Sequence, residues 1–432
     1  MKKCIPILSA TCILKANIIY TDLSPCGGAE RLTLVTMQAL SQKDVSFDLT
    51  TCVYPNLEKL ENAYGSKIAS GIKKAEKINI LNSLEESVIE RILEKGKYDI
   101  TINTHGDTLP FYHHSLSKRN AVTYCHFPSA KFHIDSENLE YLRDIRVGGD
   151  FTPGYEMDYS KTKITPNFKV ETGQKVKKYF EFLRVKYDSL MKNTLVLANS
   201  EYTRRAINCI FNINPRLLYP PVEVETYHEI ASNSATLRED MILVISRIAP
   251  DKQIENAIKV ARIMRDRGNA KKGMVIAGNL HYYDEKYCQQ LKKLIADCNL
   301  SAYVSLQTNI SFSRLIQLMQ LSKVYFHPRI DEHFGISIVE AMAAGLVPIV
   351  SDVGGHTEFV PSKYHFHSLD HAADLITRAL EATTDSERLS ISNSTAKFSN
   401  TNYVRSFHQV LSELLSDKNI SRMDIIDPDI PA

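Results

Sequence analysis

The sequence predicts an α/β protein of two doubly wound, Rossmann-like domains. Three observations carry this expectation. Short apolar runs recur at 16–20, 47–53, 98–103, 121–125 and 194–200, separated by helical patterns. Such alternation produces parallel sheets covered by helices. A second series opens at 241–246 and continues through 273–278, 302–306, 324–327 and 346–350. The length, 432 residues, suits two to three domains with full cores. Between the two series, 217–222 leads into the polar Ser232-Asn233-Ser234, which reads as an interdomain linker. The expected domains are 1–225 and 226–399, with a helical segment from about 400 to 432.

Composition excludes several classes. A hydrophobic content of 44% with 24% charged residues is that of a soluble globular chain. A net charge of +2 gives no reason to expect a nucleic-acid partner. The eight cysteines are scattered, with no Cys-x-x-Cys pair and no zinc spacing, as in a reduced, cytoplasmic protein. No run approaches the roughly 20 apolar residues of a membrane span. Residues 1–14 have the short apolar core of a leader, but Lys15 spoils a small-residue cleavage site, so they read as a strand or an N-terminal extension.

In the first series, the strand at 16–20 is followed by a loop ending in Gly27-Gly28 and by a helix with apolar residues at 32, 34, 35, 37 and 40. A Gly-Gly turn opening a helix after a first strand presents backbone N–H groups to phosphate or substrate. The strand at 98–103 runs into Thr104-His105-Gly106-Asp107, which sets His105 and Asp107 where ligands of open α/β sheets bind; an ordinary surface loop accounts for them equally well. The strand at 121–125 ends at His126, with Pro128 preventing its continuation. On position alone, a solitary histidine there more often serves structure than chemistry. From 161 to 192 nine Lys/Arg stand against three acids, interleaved with Tyr179, Phe180, Phe182 and Tyr187. Such a helix either lies on an anionic lipid surface or is a plain solvated face.

In the second series, Arg247 and Lys252 follow the strand at 241–246 and can clamp a diphosphate between two cations. The densest signal lies at 328–345, Pro-Arg-Ile-Asp-Glu-His-Phe-Gly-Ile-Ser-Ile-Val-Glu-Ala-Met-Ala-Ala-Gly. Glu332 falls on a loop and Glu340 in the first turns of the following helix. Gly335 allows an anion to approach the free N–H groups at that helix start. Glu340 offers two oxygens to a diol such as ribose. The alternative is a capped surface helix whose acids favour its own dipole.

The 332–340 string resembles the E-x7-E signature of family 4 retaining glycosyltransferases, and 351–358, Ser-Asp-Val-Gly-Gly-His-Thr-Glu, resembles the loop that follows it in those enzymes. Gly-Gly-Ala-Glu-Arg at 27–31 and Ala-Asn-Ser-x-x-Thr at 198–203 are similar to further family segments. Tyr124-Cys-His-Phe-Pro128 resembles in particular the mannosyltransferases that extend dolichol- or polyprenyl-linked oligosaccharide. The resemblance implies the two-domain GT-B fold, with the last helices crossing back onto the first, acceptor-side domain. It implies a GDP- or UDP-sugar donor, no required cofactor or metal, and a glycan or polyprenyl-linked acceptor met on the cytoplasmic face, with 161–192 at the membrane. The implied catalytic set is His126, Glu332, Arg247 and Lys252. The implied donor-binding set is Gly27, Gly28, Arg247, Lys252, Glu332, Phe334, Gly335, Ile336 and Glu340, with His105 and Asp107 on the acceptor side. Three other readings remain: a GT-B enzyme on a soluble acceptor, such as a sucrose- or trehalose-type synthase; a sugar-nucleotide epimerase, against which the Glu332/Glu340 string argues; and an inactive nucleotide-binding scaffold.

Overall fold

The structure, a computed structural model, describes residues 14–81, 86–106, 120–138, 173–233, 238–269 and 273–423. Residues 1–14 (but for Leu14), Asp107 and the first part of the basic stretch, 161–172, lie outside the described residues.

Two parallel sheets form the molecule. The first has the order β3-β2-β1-β4-β5-β6-β7, with β1 at Lys15–Ile19, β2 at Ser46–Thr51, β3 at Lys77–Ile80, β4 at Ile100–Asn103, β5 at Asn120–Cys125, β6 at Leu195–Ala198 and β7 at Arg216–Leu217. The second has the order β10-β9-β8-β11-β12-β13, with β8 at Glu239–Ile245, β9 at Met274–Gly278, β10 at Val304–Thr308, β11 at Ser322–Phe326, β12 at Val347–Ser351 and β13 at His365–Phe366. In each sheet the strand order reverses beside the first strand, between β1 and β4 and between β8 and β11. Crevices at such switch points, outside the carboxyl ends of the strands, are where open α/β sheets take ligands. The central strands β1, β4, β11 and β12 are short and mostly buried, as in parallel sheets covered by helices on both faces.

Strands β3, β7 and β13 are not marked in the sequence by apolar runs. Lys77-Ile-Asn-Ile80 alternates, and the other two have two residues each. The helix Val224–Ser232 places Val224, Tyr227 and Ile230 in the second core, so the polar residues after it follow an element already seated there. The final helix, Asn400–Met423, buries Tyr403, Phe407, Val410 and Leu411 in the core of the first domain. It is tied to the first helix by Thr36 Oγ1 to the Tyr403 hydroxyl, 2.7 Å, and by His408 Nε2 to the Ala39 carbonyl, 2.8 Å.

The helix Gly173–Asn193 divides the aromatics of the basic stretch. Phe180, Leu183, Tyr187, Leu190 and Met191 face the core at helical spacing. Phe180 and Tyr187 are therefore structural. Lys177, Lys178, Phe182 and Val185 are exposed on the other face. No helix among the described residues is long and apolar enough to cross a membrane.

Candidate functional site: a charged cleft between two switch points

The loop leaving β11 is held in an unusual path. Asp331 (φ +66°) and Gly335 (φ +95°) both take left-handed backbone. At Gly335, a Cβ would also lie 2.4 Å from Ile338 Cδ1, so glycine is required on two counts. Between these turns Glu332 is stitched to the loop after β12: its carbonyl accepts from Gly355 N at 2.8 Å, and Asp331 N donates to the Val353 carbonyl at 3.2 Å. Gly354 and Gly355 permit this contact, since a Cβ at either would sit within 2.5 Å of backbone oxygen in this loop.

The Glu332 side chain is thereby aimed at two cations and a buried histidine whose pKa burial lowers. Its Oε2 lies 3.2 Å from Lys252 Nζ, 3.4 Å from His327 Nε2 and 3.9 Å from Arg329 Nη1. Its Oε1 accepts from the His333 amide at 3.1 Å. Burial pushes the carboxyl upward, but Lys252, His327 and Arg329 outweigh that and hold it well below the usual carboxylate range. Lys252 comes from the short turn Pro250–Lys252 after β8, opposite β11 at the switch point. Arg247, from the same loop, is exposed and pairs with Asp251 at 2.9 Å rather than with Glu332.

Glu340, on the helix Ile336–Ala343, meets a different environment. Its Oε1 is 3.6 Å from Arg31 Nη2, and the Arg31 side chain belongs to the first domain. Burial raises the Glu340 carboxyl above its ordinary range and Glu223 adds to this, against the pull of Arg31 and a hydrogen bond from Tyr227. Phe334 is buried among Tyr219, Phe359 and Phe398, a packing role that fixes the start of the helix.

The first domain supplies the opposite wall. The Gly27–Gly28 loop rests on the helix start: a Cβ on Gly28 would lie 2.2 Å from Ile336 Cδ1. Gly27 N donates to Glu30 Oε2 at 2.6 Å, and its carbonyl accepts from the Tyr64 hydroxyl at 2.6 Å. His126 pairs through Nε2 with the Thr104 carbonyl at 3.0 Å. A carbonyl only accepts, so Nε2 carries the proton and Nδ1 is the acceptor in the neutral ring. Burial keeps that ring neutral, lowering its pKa despite the carbonyl. His105, held by Thr21 Oγ1 at 3.1 Å, is pushed down to about 4 by burial and by His126.

Several contacts between the walls involve residues the sequence did not single out. The His333 ring stacks on Phe127 with centroids 3.8 Å apart and planes 1° apart, and the His333 carbonyl accepts from Ser200 Oγ at 2.6 Å. Glu358 caps the helix Glu201–Phe211 from the other domain, both oxygens within 3.2 Å of Glu201 N. Glu358, Tyr202, Arg205, Asp352 and Thr357 line a cavity of about 200 Å³ beside this seam. Signals for Arg31 and Glu358 stood in the strings that carried the resemblance; Arg329 and His327 sit at the end of β11, where cations and ligands meet.

Residues 228–397 match the family model for glycosyl transferases group 1. The match falls on the second of the two sheets and the helices around it. Along the sequence, the chain is similar to the GDP-Man:Man(3)GlcNAc(2)-PP-Dol alpha-1,2-mannosyltransferases. It is 29% identical over 176 residues to the one of Dictyostelium discoideum, covering 38% of this chain and 35% of that protein. It is 25% identical over 405 residues to the one of Kluyveromyces lactis, covering 84% and 64%. The chain thus spans about a third of the length of the Dictyostelium relative. In fold it is similar to Anabaena HepE in complex with UDP-glucose (TM-score 0.64, 15% identity, 93% and 100% of the two chains). It is also similar to a sucrose-phosphate synthase of Thermosynechococcus elongatus (TM-score 0.65, 13% identity, 94% and 100%). With two parallel sheets facing a cleft, the fold is GT-B. Of the predicted residues, Glu332 and Lys252 are in direct contact, Gly28 meets Ile336, and Glu340 is paired with Arg31; Arg247 stands apart.

Proposed function

We propose that the chain is a retaining glycosyltransferase that moves a hexose, mannose by preference, from a nucleotide-diphosphate sugar to a hydroxyl of a glycan or lipid-linked oligosaccharide. The observation that carries this reading is the Glu332–Lys252 pair at the β8/β11 switch point, set against the Gly27–Gly28 loop and His126. Similarity to GDP-mannose-dependent relatives supports the choice of sugar and acceptor.

In this reading Glu340 takes the ribose hydroxyls, and Lys252 and Arg247 face the diphosphate. Glu332, kept ionised by its cations, and the backbone at Phe334, Gly335 and Ile336 hold the hexose hydroxyls. His126 accepts a hydrogen bond through Nδ1 from the same sugar, and His105 lies on the acceptor side. The acceptor oxygen forms its bond to the anomeric carbon as the bond to the diphosphate oxygen breaks. With retention, both events occur on one face, so the departing diphosphate receives the acceptor's proton. Charge develops on that diphosphate, where preorganised cations contribute most. Arg247 needs only to rotate away from Asp251 to join, because the pair is exposed and such pairs contribute about 0–1 kcal/mol. In this reading Lys252 and Arg247 supply the positive charge that neutralises the departing diphosphate. The exposed Lys177, Lys178, Phe182 and Val185 are the surface that would meet an anionic membrane carrying the acceptor.

The test is transfer from GDP-mannose, with UDP-glucose for comparison, to a polyprenyl-diphosphate-linked glycan, with and without anionic liposomes. The expected product is a mannosyl glycoside of retained configuration, formed faster with liposomes. Turnover of soluble acceptors alone would favour the synthase-type reading, and donor binding without transfer to any acceptor would favour a scaffold.

A further inference from the structure

The mechanism above leaves the buried cation Arg31 unused. Arg31 is 7% exposed and reaches out of the first domain, from just beneath the Gly27–Gly28 loop, to a carboxylate of the second. Its guanidinium lies 5.3 Å from the centre of the Tyr64 ring, and the Tyr64 hydroxyl holds the Gly27 carbonyl, so loop and cation form one unit. Its Nη1 is buried and makes no hydrogen bond.

We infer that Arg31 is a positioning residue for Glu340, fixing its carboxylate for the ribose diol of the donor and making that grip depend on contact between the domains. The inference rests on the reading of Glu340 as the ribose acceptor. The groups facing Glu340 are Arg31, Glu223 and Tyr227, and Arg31 is the cation paired with it among the described ion pairs. A carboxylate this buried, beside another acid, favours its neutral form unless a cation compensates, and a protonated Glu340 loses half of its acceptor character toward a diol. The separation of 3.6 Å marks an ion pair rather than a tight hydrogen bond. Arg31 therefore charges and orients Glu340 without occupying the lone pairs that ribose needs. Because Arg31 belongs to the first domain and Glu340 to the second, a donor with an intact ribose binds best to the closed pair of domains, while a diphosphate alone does not sense the arrangement.

Calorimetric titration with GDP, with UDP and with their 2′,3′-dideoxy analogues tests this on wild type, Glu340→Ala, Arg31→Met and Arg31→Lys. Wild type is expected to prefer the ribonucleotide by about 10-fold or more, as for paired hydrogen bonds to a charged group. Both Glu340→Ala and Arg31→Met should bring that preference to within about 3-fold, with Arg31→Lys between these and wild type, while affinity for inorganic pyrophosphate stays at the wild-type value in all four proteins. A general packing defect would weaken all ligands alike and overturn the inference. So would full ribose discrimination in Arg31→Met while Glu340→Ala has lost it. Equal discrimination in wild type and Glu340→Ala would instead overturn the assignment of Glu340 itself. If Arg31→Met does not fold, Arg31→Gln carries the same comparison.

Discussion

Glu332 and Glu340 stand eight residues apart in one motif, yet the fold gives them opposite surroundings. Glu332 lies at the end of β11 among Lys252, His327 and Arg329, all from its own domain, and is held ionised. Glu340 lies one helix turn into the helix Ile336–Ala343, its carboxyl raised by burial, and its cation comes from the other domain. The difference teaches that one end of the cleft is assembled within a single domain, whereas the other is completed only by the meeting of two. Removing parts of either end should therefore have distinct consequences.

The largest effect is expected at the self-contained end. Lys252→Ala should lower kcat by about 10²–10³-fold, the typical loss of a preorganised charge-stabilising group. It should also destabilise the fold by about 3–5 kcal/mol, because a buried carboxylate is left short of its partner. Urea unfolding alongside steady-state assays separates the two; unchanged turnover would remove Lys252 from the site. Next comes the seam. Gly28→Ala places a methyl 2.2 Å from Ile336 Cδ1 and should cost about 1–3 kcal/mol in overpacking, seen as weaker donor affinity. Adding Ile336→Ala should restore much of it, and failure to do so would mean that the loop does not seat on this helix.

A pH series then sharpens the contrast between the two acids. Glu340 is raised and Glu332 lowered, so as pH falls Glu340 takes its proton first. Binding that needs charged Glu340 is complete above its folded pKa and is lost as pH falls through it, a limb lying above the ordinary glutamate value of about 4.3. Nucleotide affinity should fall on this limb in wild type, and the limb should vanish in Glu340→Gln. The smallest effect is expected at the seam between Glu358 and the helix Glu201–Phe211: Glu358→Ala removes the cross-domain cap at Glu201 N and should cost about 1 kcal/mol in thermal stability, with ribose discrimination intact.

Much of this arrangement was legible in the sequence. The strands ending at Cys125, Ile245 and Phe326 were apolar runs bounded by Gly, Pro or charge. What escaped was of two kinds. Strands such as Arg216–Leu217 and His365–Phe366 are too short to leave a period. Contacts between distant elements, such as Arg31 with Glu340 or Phe127 with His333, arise from two switch points facing each other, and no spacing along the chain encodes that. The basic stretch taught the same lesson in reverse: Phe180 and Tyr187 looked like membrane aromatics among lysines, but helical spacing turns them inward.

The most direct measurement is calorimetric titration of GDP-mannose and UDP-glucose into wild type and Lys252→Ala under conditions where both are folded. The account predicts saturable binding of one nucleotide sugar at a single site, weakened by Lys252→Ala. Identical affinities for both proteins, or no binding of either sugar nucleotide to wild type, would contradict it.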